Sequence, residues 1–239
     1  MKWKTVTEFV ISLSVLPRGD AHASLSSIMA LFLIVSVPFW FLLVVSFYKT
    51  PSRGWRSLLL PFLGGLLIGM AAITISLGLL TRTPFSMNLP ELYRWAWFRG
   101  PGWPMIITVP IVLFKHLRKS TSFSRIREIA AWLSGTAFVY TFWYAVTPDP
   151  GFDYYRLLFI PFLWLGCISS VTWLVDRGLR VDGWIRYLLF VAAELLSSVL
   201  ILLPVLYTMG DAFYSFIISI ILTVASTFLI FMDSRGRLS

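Results

Sequence analysis

Charge is missing from most of this chain, and the gaps between charges are long. Residues 23–48 carry none over 26 positions, and residues 57–81 none over 25. Three further gaps follow, 100–114 with 15 residues, 129–148 with 20 and 157–175 with 19. Residues 187–210 form a stretch of 24 broken once, by Glu194, and residues 212–232 a last one of 21. A helix rises about 1.5 Å per residue and the bilayer's hydrocarbon layer is about 30 Å thick, so roughly 20 apolar residues cross it. Six of the seven stretches meet that length. Lipid supplies no hydrogen-bond partners, so each crossing segment has to satisfy its own backbone as a helix.

The expected fold is therefore all-α and polytopic, with six transmembrane helices and one short third hydrophobic segment. Residues 1–24 read as an N-terminal interfacial segment, residues 25–232 as one transmembrane helical domain and residues 233–239 as a short tail. The N-terminus has the outline of a signal peptide, with Lys2 and Lys4 ahead of an apolar run. That run is short, and Arg18 and Asp20 stand before the small residues of any cleavage site.

The third stretch admits two readings. Fifteen residues reach only about 22 Å, and Pro104 and Pro110 both interrupt the helical ladder. It crosses if Arg99 and Lys115 snorkel to opposite surfaces; otherwise it is a re-entrant or interfacial segment. The count of spans depends on it, and basic residues weigh the two cases because they favour the cytoplasmic side. Six spans divide the 20 Lys and Arg residues 16 to 4, with the N-terminus inside, but strand Lys49, Arg53 and Arg56 outside. Seven spans divide them 13 to 7. The bare count favours six. Both arrangements put the C-terminus and the 115–127 loop in the cytoplasm, with a plasma (inner) membrane as the natural location.

The net charge of +9 is thus mainly an orientation signal, and nucleic acid is not an expected partner. Lys115, Arg118, Lys119, Arg125 and Arg127 are candidates for holding anionic lipid headgroups. The aromatic run from Tyr93 to Phe98, with Trp103 behind it, suits the headgroup level.

Within the spans, Gly65, Gly69, Ala72 and Ser76 recur near every fourth residue, a stripe that lets helices approach closely. Tyr140 and Tyr144 share a helix face with Thr136. Ser215, Ser219, Thr223 and Ser226 share another; such hydroxyls line a polar path or bridge helices. Pro38, Pro61, Pro161 and Pro204 are expected to kink or loosen four spans. The segment 56–63 is faintly echoed at 156–163, as an internal repeat would be.

Glu194 is the one ionisable residue well inside a long stretch, about 12 Å along a helix from Arg186. A carboxyl at that depth faces the protein interior or a wet cavity. Ser197 and Ser198 follow one turn later on its face. Proton or cation handling is one reading of this group, and a hydrogen-bonded clasp between helices is the other.

Absences narrow the rest. With two His and one Cys, no metal or haem site is expected, and no cofactor. No Walker A, G-x-S-x-G or H-E-x-x-H pattern occurs, and no catalytic residue stands out. A single Asn and no Gln disfavour a sugar ligand relative to a lipid-like, apolar or cationic one. The expected function is transport, as a small permease or a membrane subunit of a transporter. The alternatives are a non-catalytic assembly subunit, held to a partner protein or a second copy, and an enzyme acting on lipid or lipid-linked substrate.

Overall fold

The computed structural model describes residues 21–47, 56–80, 88–117, 125–146, 154–208 and 212–235. Expectations for residues 1–20, for Arg118 and Lys119 and for residues 236–239 lie outside these. Among the described residues there is no strand. The helices are α1 (Ala21–Phe47), α2 (Arg56–Leu80), α3 (Leu89–Arg99), α4 (Gly102–Leu117), α5 (Arg125–Val146), α6 (Tyr154–Gly178), α7 (Trp184–Val199), α8 (Leu202–Thr208) and α9 (Ala212–Arg235).

Five stretches are long and apolar enough to cross a bilayer: Ala30–Phe47, Ser57–Leu79, Phe159–Gly178, Trp184–Leu206 and Phe213–Ser234. The chain is built as an integral membrane protein. The fourth stretch of the sequence, now α5, is not among the five, which are set by length and composition. Ile126, Ile129, Ala130, Ala131, Leu133, Ser134, Thr136, Ala137 and Tyr140 are all buried, so α5 is enclosed by its neighbours and meets little lipid. Helix α6 is enclosed too: 78% of its span is buried, against 28% for α2 and for α9. The other long helices pack around this central pair.

Contacts along the helices fix their directions. On α5, Trp132 meets Gly64 and Thr136 meets Gly69, so α2 and α5 run in parallel. Thr108 of α4 bonds Thr136, whereas Lys115 lies over Trp132, so α4 runs against α5. Arg125 reaches the carbonyl just after α6 while Tyr140 packs on Trp164, so α6 also runs against α5. Gly178 meets Leu189 and Phe190, the antiparallel pairing of α6 with α7. Phe162 and Asp176 pair in order with Phe216 and, through Arg180, with Asp233, so α9 parallels α6. Trp40 and Phe47 reach Thr227 and Phe231, so α1 parallels α9. The bundle thus has an Arg125 end and an Arg99 end. Helices α1, α4, α6 and α9 run toward the first; α2, α5 and α7 run toward the second.

The short α3 is a separate element at the Arg99 end. Asn88 caps it by accepting from Glu91 N at 3.1 Å, and Gly100 closes it by donating to Ala96 O at 2.6 Å. Leu92 and Ala96 then pack against Ile201 and Val205, in and just ahead of α8.

The prolines behave unequally. Pro38, Pro61 and Pro161 sit inside continuous helices. Only the Pro204 segment is split. Pro204 has no N–H for the carbonyl of Leu200, and the chain switches there to three-residue spacing. Ile201 N donates to Ser198 O at 3.3 Å and Leu203 N to Leu200 O at 3.2 Å.

Glycine controls the tightest crossing. A methyl built on Gly65 would collide with the carbonyl of Trp132, and one on Gly135 with the carbonyl of Phe62. At Gly69 it would lie 3.0 Å from Thr136 O and from Val139 Cβ. Gly78, near the end of the same helix, has nothing within 4 Å of that position. Gly69→Leu is therefore expected to destabilise the fold by about 3 kcal/mol or more through overpacking, and Gly78→Leu to leave it unchanged. Thermal unfolding in detergent checks both; equal melting points for the two variants contradict the crossing.

Candidate functional site

Helix α7 places Glu194 at a boundary. Ala193 and Ser197 are buried against the bundle, whereas Tyr187, Leu188, Val191 and Leu195 are exposed on the bilayer-facing side. The Glu194 side chain is half-buried between these faces, and its Oε2 is buried with no hydrogen-bond partner. The two serines expected to share its face do not bind the carboxyl. Ser197 donates to Ala193 O at 2.9 Å and Ser198 to the Glu194 carbonyl at 3.0 Å, each satisfied within its own helix. What does come close is Cys167 of α6: its buried thiol lies beside the Ser197 hydroxyl and within electrostatic reach of Glu194. No residue spacing in the sequence connects Cys167 to Glu194.

Tyr140 and Tyr144 lie away from Glu194, on α5 toward the Arg99 end. Tyr140 is fully buried, its ring 5.0 Å from that of Trp164. Its hydroxyl lies next to Ser76 without the geometry of a hydrogen bond. Tyr144 donates to Arg99 O at 2.9 Å, and the Arg99 guanidinium stands 4.8 Å from the Trp95 ring and 5.3 Å from the Trp143 ring. The densest aromatic patch of the sequence is thus tied to the bundle through Arg99. Trp164 and Cys167 stand one turn apart on α6.

The glycine stripe lies where α2 crosses α5. Gly65, Gly69, Ala72 and Ser76 are all buried, and Ser76 reaches Phe98 O at 3.1 Å as well as Ala72 O at 2.8 Å. The close approach lets Thr136 donate to Gly65 O at 3.1 Å and pair with Thr108 at 3.2 Å, linking three helices. Part of the hydroxyl row on α9 bridges in the same way. Thr223 donates to Phe162 O at 2.8 Å, and Ser226 pairs with Ser169 at 2.5 Å. Ser219 bonds within α9, to Ser215 O at 2.9 Å.

The basic residues named for lipid headgroups divide. Arg125 is buried and donates to Leu179 O at 2.9 Å, and Arg127 is buried too. Lys115 stands 5.1 Å from the Trp132 ring. Beside them, Arg180 joins Asp176, at the end of α6, to Asp233 of α9. It bonds Asp176 through Nη2 and spans both Asp233 oxygens at 2.7 and 3.1 Å. Among the described residues no group of three or more His, Cys, Asp or Glu side chains is arranged to hold a metal ion. Compared with known proteins, the chain matches no family model, no curated protein and no solved structure.

The Arg180 bridge carries a stability prediction. Asp176 is only 2% exposed, so its buried charge depends on the groups around it, and Arg180 is one of them. Arg180→Ala is expected to destabilise the protein by about 3 kcal/mol, and Asp176→Asn in that background to restore part of it. Melting curves of the single and double variants read this directly. An Arg180→Ala protein as stable as the native one refutes it.

Proposed function

We propose that this chain is a transport-type membrane protein in which Glu194 carries a proton or a small cation. The observation behind this reading is the buried, unpartnered Oε2 of Glu194 between α6 and α7. A carboxyl at membrane depth costs at least a few kcal/mol, and such groups mark ion and proton pathways. Its serine neighbours are satisfied locally, so a hydrogen-bonded clasp gains nothing from them. The broken helix supports the same reading: the α7 ladder is interrupted one turn beyond Ser197, and discontinuous helices are recurrent parts of cation-coupled transporters.

The proposed arrangement has seven crossings, with the Arg125 end in the cytoplasm of a plasma (inner) membrane. Helix α4 runs from the Arg99 end toward the Arg125 end, as a crossing helix would. With α4 counted, Lys49, Arg53 and Arg56 join the basic side instead of being stranded outside. That agreement outweighs the steeper 16 to 4 division, which requires α4 to turn back.

The second reading is a non-catalytic assembly subunit. It draws on the exposed flank of α7, where Tyr187, Val191 and Leu195 adjoin the half-buried Glu194. A partner helix or a second copy laid there would cover the carboxyl.

Two measurements separate these. In proteoliposomes containing a pH-sensitive dye, Glu194→Gln is expected to lose at least about tenfold in proton or cation flux while its melting point holds, because only the titratable charge is removed. No flux from the native protein, or equal flux from the variant, rejects the transport reading. For topology, a cysteine at position 87 in a Cys167→Ser background should react with an impermeant reagent from outside the cell. Labelling from the inside returns the chain to six spans.

A further inference from the structure

Proline alone does not account for the break between α7 and α8. Pro38, Pro61, Pro110 and Pro161 all lie inside continuous helices, so a proline does not by itself part a helix of this chain. What sets the Pro204 segment apart is the side chain three residues earlier. Ile201 is fully buried and packs with Leu92 and Ala96 of α3. Its Cδ1 fills the notch that Gly102 leaves: a methyl on that glycine would stand 2.1 Å from Ile201 Cδ1 and 3.2 Å from the Trp97 ring. Around Ile201 the ladder runs on three-residue spacing, and such a stretch inside a long helix marks a hinge or strain. The segment is shared between two cores. Leu200 and Leu203 belong to the main one, whereas Ile201 and Val205 belong to the smaller one built with α3.

Helix α3, which supplies the seat for Ile201, is fastened to the other side of the bundle. The last carbonyls of a helix have no partner within it. Two of those of α3 are met from outside, by Ser76 of α2 at Phe98 O, 3.1 Å, and by Tyr144 of α5 at Arg99 O, 2.9 Å. The Arg99 guanidinium adds a third tie, 5.3 Å from the Trp143 ring of α5.

We propose that α3 is a latch on the α7–α8 hinge. Docked on α2 and α5, it holds Ile201 in the Gly102 notch and the helix broken; released, it frees the ladder over residues 198–205 to change its spacing. The hinge leads directly to the middle of α7. Ser198, whose carbonyl accepts from Ile201 N, donates its own hydroxyl to the Glu194 carbonyl. The latch rests on packing and hydrogen bonds alone, and it stands whether or not Glu194 carries ions.

A latch couples the two elements it joins, so loosening one must loosen the other. Leu92→Cys on α3 and Val205→Cys on α8, each alone in a Cys167→Ser background, place thiols at buried positions of the shared cluster. Both are expected to react slowly with a small methanethiosulfonate in detergent. Tyr144 stands on α5, outside that cluster, and Tyr144→Phe removes only its bond to Arg99 O. That change is expected to speed both thiols by a similar factor, about fivefold, the weight of one hydrogen bond. Val171→Cys, buried in the main core, is the control and is expected to keep its rate. Acceleration at position 92 alone means that α3 leaves without α8, and it overturns the latch. Acceleration at position 205 alone, at neither position, or at position 171 as well overturns it too. Ser76→Ala, which removes the bond to Phe98 O, makes the same measurement if Tyr144→Phe does not fold.

Discussion

Close approach of backbones at the α2–α5 crossing is the contact on which the rest of the bundle depends. Inside a bilayer, helices gain nothing by hiding apolar surface from other apolar surface, so van der Waals contact and interhelical hydrogen bonds must hold them together. Gly65 and Gly135 bring the backbones of α2 and α5 together, with a carbonyl where each Cβ would stand. Only at that separation can the Thr136 hydroxyl reach Gly65 O, and Thr108 of α4 then completes the link to a third helix. A larger side chain at either glycine would remove the contact and the hydroxyl bridge together. Helix α6 repeats the device more gently toward α9. Gly166 faces Leu222 and Thr223, and Ser169 meets Ser226.

The positions of the helices were legible in the sequence because charge marks their ends. The gap at 212–232 became α9, and the gap at 57–81 became α2, each with its boundary within a few residues. Gly65 and Gly69 were legible as a packing stripe because a fourfold spacing survives without knowledge of the partner. Their partner Gly135 was not, since a lone glycine in a helix carries no periodic signal. Hydropathy alone also overstated the kinship of the long stretches. Enclosure relieves α5 of the demand for apolar surface, and enclosure is a property of the fold. The prolines show the same limit. Pro38, Pro61, Pro161 and Pro204 look alike as residues, yet only the last parts a helix. At Pro204, Ile201 and Val205 find a second partner in Leu92 and Ala96 of α3, and that packing holds the chain in its broken course.

The site was half legible for a related reason. A carboxyl in a long uncharged stretch is conspicuous, and Glu194 needed no structure to be noticed. Its neighbours were harder to name. Serines at i+3 and i+4 suggest a shared cluster, but a helical serine can always bond the carbonyl four residues back, and Ser197 and Ser198 both do. Cys167 comes from another helix, 27 positions earlier in the chain, and only the antiparallel pairing of α6 with α7 brings it near.

The direction in which Glu194 turns is what separates an ion-handling role from an assembly role. Helix α7 offers both environments within one turn, with Ala193 and Ser197 against the bundle and Val191 and Leu195 toward lipid. A carboxyl kept for a partner helix would project among the exposed residues, where a basic or hydrogen-bonding side chain could meet it on assembly. Here Oε2 is buried within the single chain. A partner laid on the outer flank would cover the exposed part of this side chain, while Oε2 is already covered within the chain. Assembly through α7 and the proposed ion handling by Glu194 are therefore compatible.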